Sequence, residues 1–122
     1  KEINLYNKGN HVRDFTYIDD VISVIVKIIK KKFSKKDSPP YNIFNIGNGK
    51  PIHLKKFLDL IQIKLGKKAK IKNLSFQQGD VLKTHANINK INLIFKSKKT
   101  IVKKGISSFI DWYKYYFNVN KK

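Results

Sequence analysis

Arg13 is the single arginine among 27 basic residues. It follows the turn Asn7-Lys8-Gly9-Asn10 and precedes the strand-like run Asp14–Ile18. A guanidinium held by flanking structure at such a point can grip a diphosphate through two parallel charge-assisted hydrogen bonds. The commoner arrangement is a surface arginine paired with a neighbouring carboxylate, here Asp14 or Asp19, and such pairs contribute little. Residue types alone leave both open. The other chemical candidates are weaker. His53 and His85 have no partner at metal or catalytic spacing. Gly47-Asn48-Gly49 lacks the third glycine and the following acidic residue of a dinucleotide-binding fingerprint. The aromatic set Trp112, Tyr113, Tyr115, Tyr116 and Phe117 lies at helical spacing, which points to helix packing rather than stacking on a base or sugar.

The elements that must position Arg13 are legible as patterns. Ile3–Tyr6 alternates apolar and polar residues and reads as a short strand. Gly9 gives the following turn access to positive φ. Asp14–Ile18 reads as a second strand, and Asp19 and Asp20 offer an N-cap and a favourable charge for a helix from about Asp20 to Phe33. That helix is apolar over a wide face (Val21, Ile22, Val24, Ile25, Ile28, Ile29), which predicts that it is mostly buried. Ser34–Pro40 is a polar linker. Tyr41–Ile46, apolar on both faces, predicts a strand inside a covered parallel sheet. A helix over Leu54–Leu65, stopped by Gly66, precedes a strand over Ala69–Leu74. Phe76–Thr84 is a loop around Gly79-Asp80. Asn87 can cap a short helix near Ile88–Ile94. Thr100 can cap the last helix, whose stripe is Val102, Gly105, Ile106, Phe109, Tyr113 and Tyr116 or Phe117. The class is α/β, with short mixed strands packed on three to four helices. The helical stripes outnumber the strands available to cover them, which predicts further sheet outside these 122 residues.

Composition bounds the rest. The formal net charge of +19 invites a polyanion-binding reading. Lysine, however, is spread along the chain together with isoleucine and asparagine, and A/T-rich codons suffice to explain that mixture. Basic surface alone supports only salt-sensitive, non-specific binding, so no specific nucleic-acid partner is expected. With no cysteine there is no disulfide and no thiolate metal site, which fits a cytoplasmic location. No apolar run approaches the roughly 20 residues of a membrane span. Lys1, Glu2, Asn4 and Asn7 interrupt any secretory apolar run. A chain beginning with Lys1 and containing no Met is read as a piece of a longer one.

The run Arg13-Asp14-Phe15-Thr16-Tyr17-Ile18-Asp19-Asp20-Val21 resembles a signature of the UDP-glucuronate 4-epimerases, a branch of the extended short-chain dehydrogenase/reductase family. The resemblance continues through Tyr41–Gly49 (strand and glycine turn), Gln77-Gln78-Gly79-Asp80-Val81 (a "QPGDV" loop) and Thr84-His85-Ala86-Asn87 (a "TxAD" segment). It closes with Thr100, Lys104-Gly105 and Asp111–Tyr116 of the last helix, in order and across nearly all of the chain. It implies a Rossmann-type fold of which residues 1–122 are the C-terminal substrate-binding segment. The parent enzyme would use NAD, bound mainly outside these residues, to take a hydride from the sugar C4 and return it to the other face.

On the same resemblance, Arg13 binds the diphosphate of a UDP-sugar, and Asp80 accepts hydrogen bonds from the ribose hydroxyls, although a turn former after Gly79 is its simpler reading. Gln77 occupies a position where related enzymes carry a second phosphate-binding arginine, and Tyr6 packs near the nucleotide. His11 and Val12 depart from the family's usual Met and Arg. The family's catalytic Tyr-x-x-x-Lys pair is absent, so this segment would carry no catalytic residue and no metal, and would catalyse nothing alone. The parent would be a cytoplasmic homodimer. The alternatives are another nucleotide-sugar epimerase, decarboxylase or dehydratase of the same fold, or a non-catalytic Lys-rich polyanion-binding module.

Overall fold

The computed structural model describes residues 2–32, 41–96 and 99–119. In chain order the elements are β1 (Glu2–Tyr6), a 3-10 turn (Asn7–Gly9), β2 (Val12–Arg13), α1 (Ile18–Lys30), β3 (Ile52–His53), α2 (Leu54–Leu65), β4 (Lys70–Leu74), α3 (Asn89–Ile94) and α4 (Val102–Tyr116). β1 pairs in parallel with β4, from Glu2 opposite Lys70 to Tyr6 opposite Leu74. β2 pairs antiparallel with β3, Val12 opposite His53 and Arg13 opposite Ile52. The expected mixed α/β class is what the chain adopts, with four α-helices among the described residues where three to four were expected.

α2 spans the expected residues, because Gly66 ends it in the left-handed conformation (φ 63) and Lys67 N–H returns to the Gln62 carbonyl at 3.2 Å. α2 packs on α4, and Lys64 Nζ reaches Asp111 Oδ1 across that interface at 2.9 Å. The Phe15 ring stacks on Phe57 of α2 with centroids 3.8 Å apart. Gly105 lets α4 approach Tyr17, since a Cβ there would stand 3.2 Å from that ring.

Several expectations are corrected. The second strand is Val12–Arg13, not Asp14–Ile18. Beyond Arg13 the polar groups of residues 14–16 bond to the Gly47–Gly49 turn and to residues 84–86, not to a neighbouring ladder. Asp14 Oδ2 accepts from Gly49 N–H (3.0 Å) and Ala86 N–H (3.1 Å), and the Thr16 hydroxyl accepts from Asn48 N–H (3.2 Å). Tyr41–Ile46 forms no strand, since no backbone ladder is available to it among the described residues; Ile43 is 72% exposed.

α1 is not mostly buried. Val24 and Asp20 are, but Ile22, Ile25 and Ile29 face outward, Ile29 at 76% exposure, because among the described residues no strand packs broadly against its face. The cap assignments also differ. Tyr17, not Asp19 or Asp20, is the N-cap of α1, and Ile101, not Thr100, is that of α4. Asp20 and Thr100 bond to each other instead: Thr100 N–H donates to Asp20 Oδ2 at 2.7 Å and its hydroxyl to Oδ1 at 2.8 Å. Asn87 is likewise not the N-cap of α3, a place taken by Ile88; it sits one residue ahead, its Oδ1 accepting from Asn89 N–H at 3.1 Å. α1 also starts and ends earlier than expected, spanning Ile18–Lys30 with Lys31 as its extended C-cap and not running from about Asp20 to Phe33; the linker Ser34–Pro40 lies outside the described residues.

Leu5, Val24, Ile91, Ile106 and Ile110 make up the buried apolar core. The Gly47–Gly49 turn backs closely onto the loop before α3. A Cβ on Gly47 would lie 2.5 Å from Ala86 Cβ, and one on Gly49 (φ +71) 2.5 Å from Ile88 Cδ1. Gly47→Ala is therefore expected to cost about 1–2 kcal/mol, the loop yielding part of the strain. A lower urea midpoint at unchanged denaturant slope would show it; an unchanged midpoint would mean that the loop moves freely.

Candidate functional site

The site is built around β2. On one edge Leu54 N–H donates to the His11 carbonyl (2.8 Å) as the chain pairs with β3. On the other, Val12 N–H donates to the Leu82 carbonyl (2.9 Å) and Thr84 N–H to the Val12 carbonyl (3.0 Å), with Val12 bridged in parallel to Lys83. Val12 is thus held from both sides, and the loop entering Leu82 is delivered beside Arg13. That loop turns at Gln77–Asp80, where Asp80 N–H returns to the Gln77 carbonyl (3.1 Å) and Gly79 has φ +84. A Cβ on Gly79 would meet nothing within 4 Å, so the glycine serves the turn's backbone and not its packing.

Arg13 and Asp80 meet directly: Arg13 Nη2 donates to Asp80 Oδ1 at 2.8 Å, across 67 residues of sequence. Arg13 Nη1 donates to the carbonyls of Val12 (3.1 Å) and Leu82 (3.3 Å). The pairing of Arg13 with Asp14 or Asp19 does not occur; Asp14 is engaged by backbone N–H groups, as described. A guanidinium has five N–H donors. Three are accounted for, leaving Nε–H and one Nη2–H for a ligand. Asp80 Oδ1 also accepts from its neighbour Val81 N–H at 2.8 Å, which fixes the carboxylate and leaves Oδ2 as the more available oxygen. The side chains are part-exposed, 25% for Arg13 and 35% for Asp80, so the pair is reachable from solvent.

The remaining expected residues are not drawn into this cluster. Gln77 is exposed and contributes its backbone carbonyl to the turn. Tyr6, at the end of β1 opposite Leu74, is 37% exposed, and no hydrogen bond joins it to Arg13 or Asp80. A separate apolar pocket of about 290 Å³, walled by Phe15, Tyr17, Phe57, Ile61, Ile106 and Phe109 among others, includes none of the four. Among the described residues no group of three or more His, Asp or Glu side chains could hold a metal ion. No helix there is long and apolar enough to cross a membrane.

Sequence reading missed His11. It is 1% exposed, and its Nε2 stands 3.1 Å from Asp80 Oδ2, close enough for an ion pair though without the alignment of a hydrogen bond. The available signal was its position two residues before Arg13, since alternate residues of an extended segment share a face.

Residues 1–47 match the family model described as NAD dependent epimerase/dehydratase family. An uncharacterized protein of Methanocaldococcus jannaschii, MJ1055, is 46% identical over 114 residues, 93% of this chain and 33% of the relative. The chain is similar, over residues 1–47, to the NAD dependent epimerase/dehydratase family. UDP-glucuronate 4-epimerase 1 of Arabidopsis thaliana, 34% identical over 134 residues, aligns with 100% of the chain and 31% of its own length. Among solved structures, the UDP-glucuronic acid 4-epimerase from Bacillus cereus in complex with UDP-glucuronic acid and NAD superposes with a TM-score of 0.73 at 25% identity, over 87% of this chain and 33% of that one. The chain spans about a third of the length of these relatives. Its short strands and four helices are accordingly those of the extended short-chain dehydrogenase fold.

Whether this chain itself cradles the dinucleotide can be asked of Gly47-Asn48-Gly49, the turn whose glycines come nearest to the fingerprint spacing. The sides of Gly47 and Gly49 that such a cradle leaves open are filled by Ala86 and Ile88. The turn does not fit a pyrophosphate.

Proposed function

We propose that residues 1–122 are the C-terminal, substrate-binding segment of an NAD-dependent nucleotide-sugar 4-epimerase that interconverts UDP-glucuronate and UDP-galacturonate, and that this segment holds the UDP moiety. The observation that carries the reading is the Arg13–Asp80 contact at 2.8 Å, which unites a cation suited to phosphate with a carboxylate suited to hydroxyl groups. Arg13 offers the diphosphate its Nε–H and remaining Nη2–H as a short fork. Asp80 offers Oδ2 to the ribose hydroxyls. Gln77 stands on the same turn as Asp80, able to donate an uncharged hydrogen bond to a phosphate oxygen. The work of these groups is positional: they fix one end of the substrate so that its sugar is presented in a single place. NAD would be held by residues outside this chain, as its glycine turn is filled. Relatives named UDP-glucuronate 4-epimerases favour the glucuronate branch over other nucleotide-sugar chemistries.

The test is product analysis. The full-length protein, supplied with NAD and UDP-glucuronate, is expected to give UDP-galacturonate, an isomer of unchanged mass. Loss of carbon dioxide or of water from the sugar would assign it to a decarboxylase or dehydratase instead.

A further inference from the structure

We propose that His11 is a positioning residue that sets the Asp80 carboxylate for recognition of a ribose, as opposed to a deoxyribose, in the bound nucleotide. The inference rests on the reading of Asp80 given above and adds a residue that reading does not use.

His11 is anchored at both ends. Its carbonyl is tied to Leu54 N–H at 2.8 Å, and its ring lies against Phe76 with centroids 5.8 Å apart and planes 29° from parallel. At 1% exposure the imidazole has almost no freedom to turn away. Its Nε2 faces Asp80 Oδ2 at 3.1 Å, while Oδ1 is occupied by Arg13 Nη2 and Val81 N–H, both at 2.8 Å. Oδ2 is therefore the oxygen left for a ligand, and His11 is the side chain beside it. A nitrogen facing a carboxylate does so in the form that carries its proton. The contact is close but poorly aligned, and buried donors are rarely left without a partner. With Oδ1 fixed, His11 and a ribose hydroxyl can share Oδ2, the imidazole holding one side of the oxygen and directing its other lone pair at the sugar. The family resemblance places a methionine here, which is apolar and donates nothing to Oδ2.

Two nucleotides separate this role from simple structural support. In the full-length protein, UDP is expected to bind about tenfold more tightly than 2′-deoxy-UDP, the worth of one charge-assisted hydrogen bond. His11→Met is expected to bring that ratio close to one, and His11→Gln, whose Nε2 can reach the same oxygen, to restore most of it. A merely structural His11 would weaken both nucleotides equally and leave the ratio intact, which would overturn the inference while leaving the UDP-binding reading standing. If the unaltered protein already fails to distinguish the two nucleotides, the ribose role of Asp80 falls, and His11's with it. Should neither variant fold, the unaltered protein still decides: the His11 Nε2 nitrogen resonance is expected to shift on saturation with UDP, and a resonance that stays in place refutes the proposal.

Discussion

Arg13→Ala in the full-length protein is expected to weaken UDP-sugar binding by about 1.5–3 kcal/mol, the usual worth of a charged hydrogen bond, or about 10- to 150-fold in Kd. The size follows from what the guanidinium does besides meeting a ligand. Its removal takes from Asp80 the cation at 2.8 Å and from the Leu82 carbonyl one of its two donors, so the loop that carries Asp80 keeps only its backbone bonds to Val12 of β2. Arg13→Lys should recover little, because a single ammonium cannot span two carbonyls, a carboxylate and a phosphate at once. Isothermal titration with UDP checks both variants. A double-mutant cycle with Asp80→Ala should show coupling, since the two side chains touch. Unchanged affinity in Arg13→Ala would remove Arg13 from the site.

The second large effect is on stability. Asp20→Ala is expected to destabilise the fold by about 2–4 kcal/mol, because two hydrogen bonds to a charged group are lost and a backbone donor is stranded. Asp20 is buried near the start of α1, and its two oxygens receive the N–H and the hydroxyl of Thr100, 80 residues away and two positions before α4. Thr100→Val, which removes the hydroxyl alone, should cost about 1 kcal/mol. Urea unfolding of the two variants gives the comparison, and an Asp20→Ala midpoint no lower than that of Thr100→Val would contradict the role assigned to the carboxylate.

These two carboxylates also show what the sequence made legible. Local signals read well where the physics is local. Gly66 had to end α2, the alternation of Ile3–Tyr6 had to make a strand, and the stripe from Val102 to Tyr116 had to make a helix. Reading failed where the outcome depends on a distant neighbour. Asp20 looked like a helix cap because a carboxylate before an apolar run often is one; its partner, Thr100, lies 80 residues on, just ahead of α4. Tyr41–Ile46 has strand residues but finds no ladder among the described ones. The stripe of α1 marked an apolar face correctly, but not what covers it. For the site, family resemblance singled out Arg13 and Asp80, and the fold brings them into contact. His11 stood out only as a departure from the family's methionine, because its approach at 3.1 Å to a residue 69 positions on is encoded by no local pattern.

The tethering of Arg13 to the carbonyls of Val12 and Leu82 has a consequence for how fast and how tightly an anion is captured. A free arginine must surrender several rotatable bonds when it closes on a phosphate, at about 0.5–1.5 kcal/mol for the side chain. Here the backbone has already stilled that motion during folding. A diphosphate bound as proposed would meet a stationary fork, so encounter would not be delayed by a search among rotamers, and the entropy usually surrendered at docking would stay available as affinity.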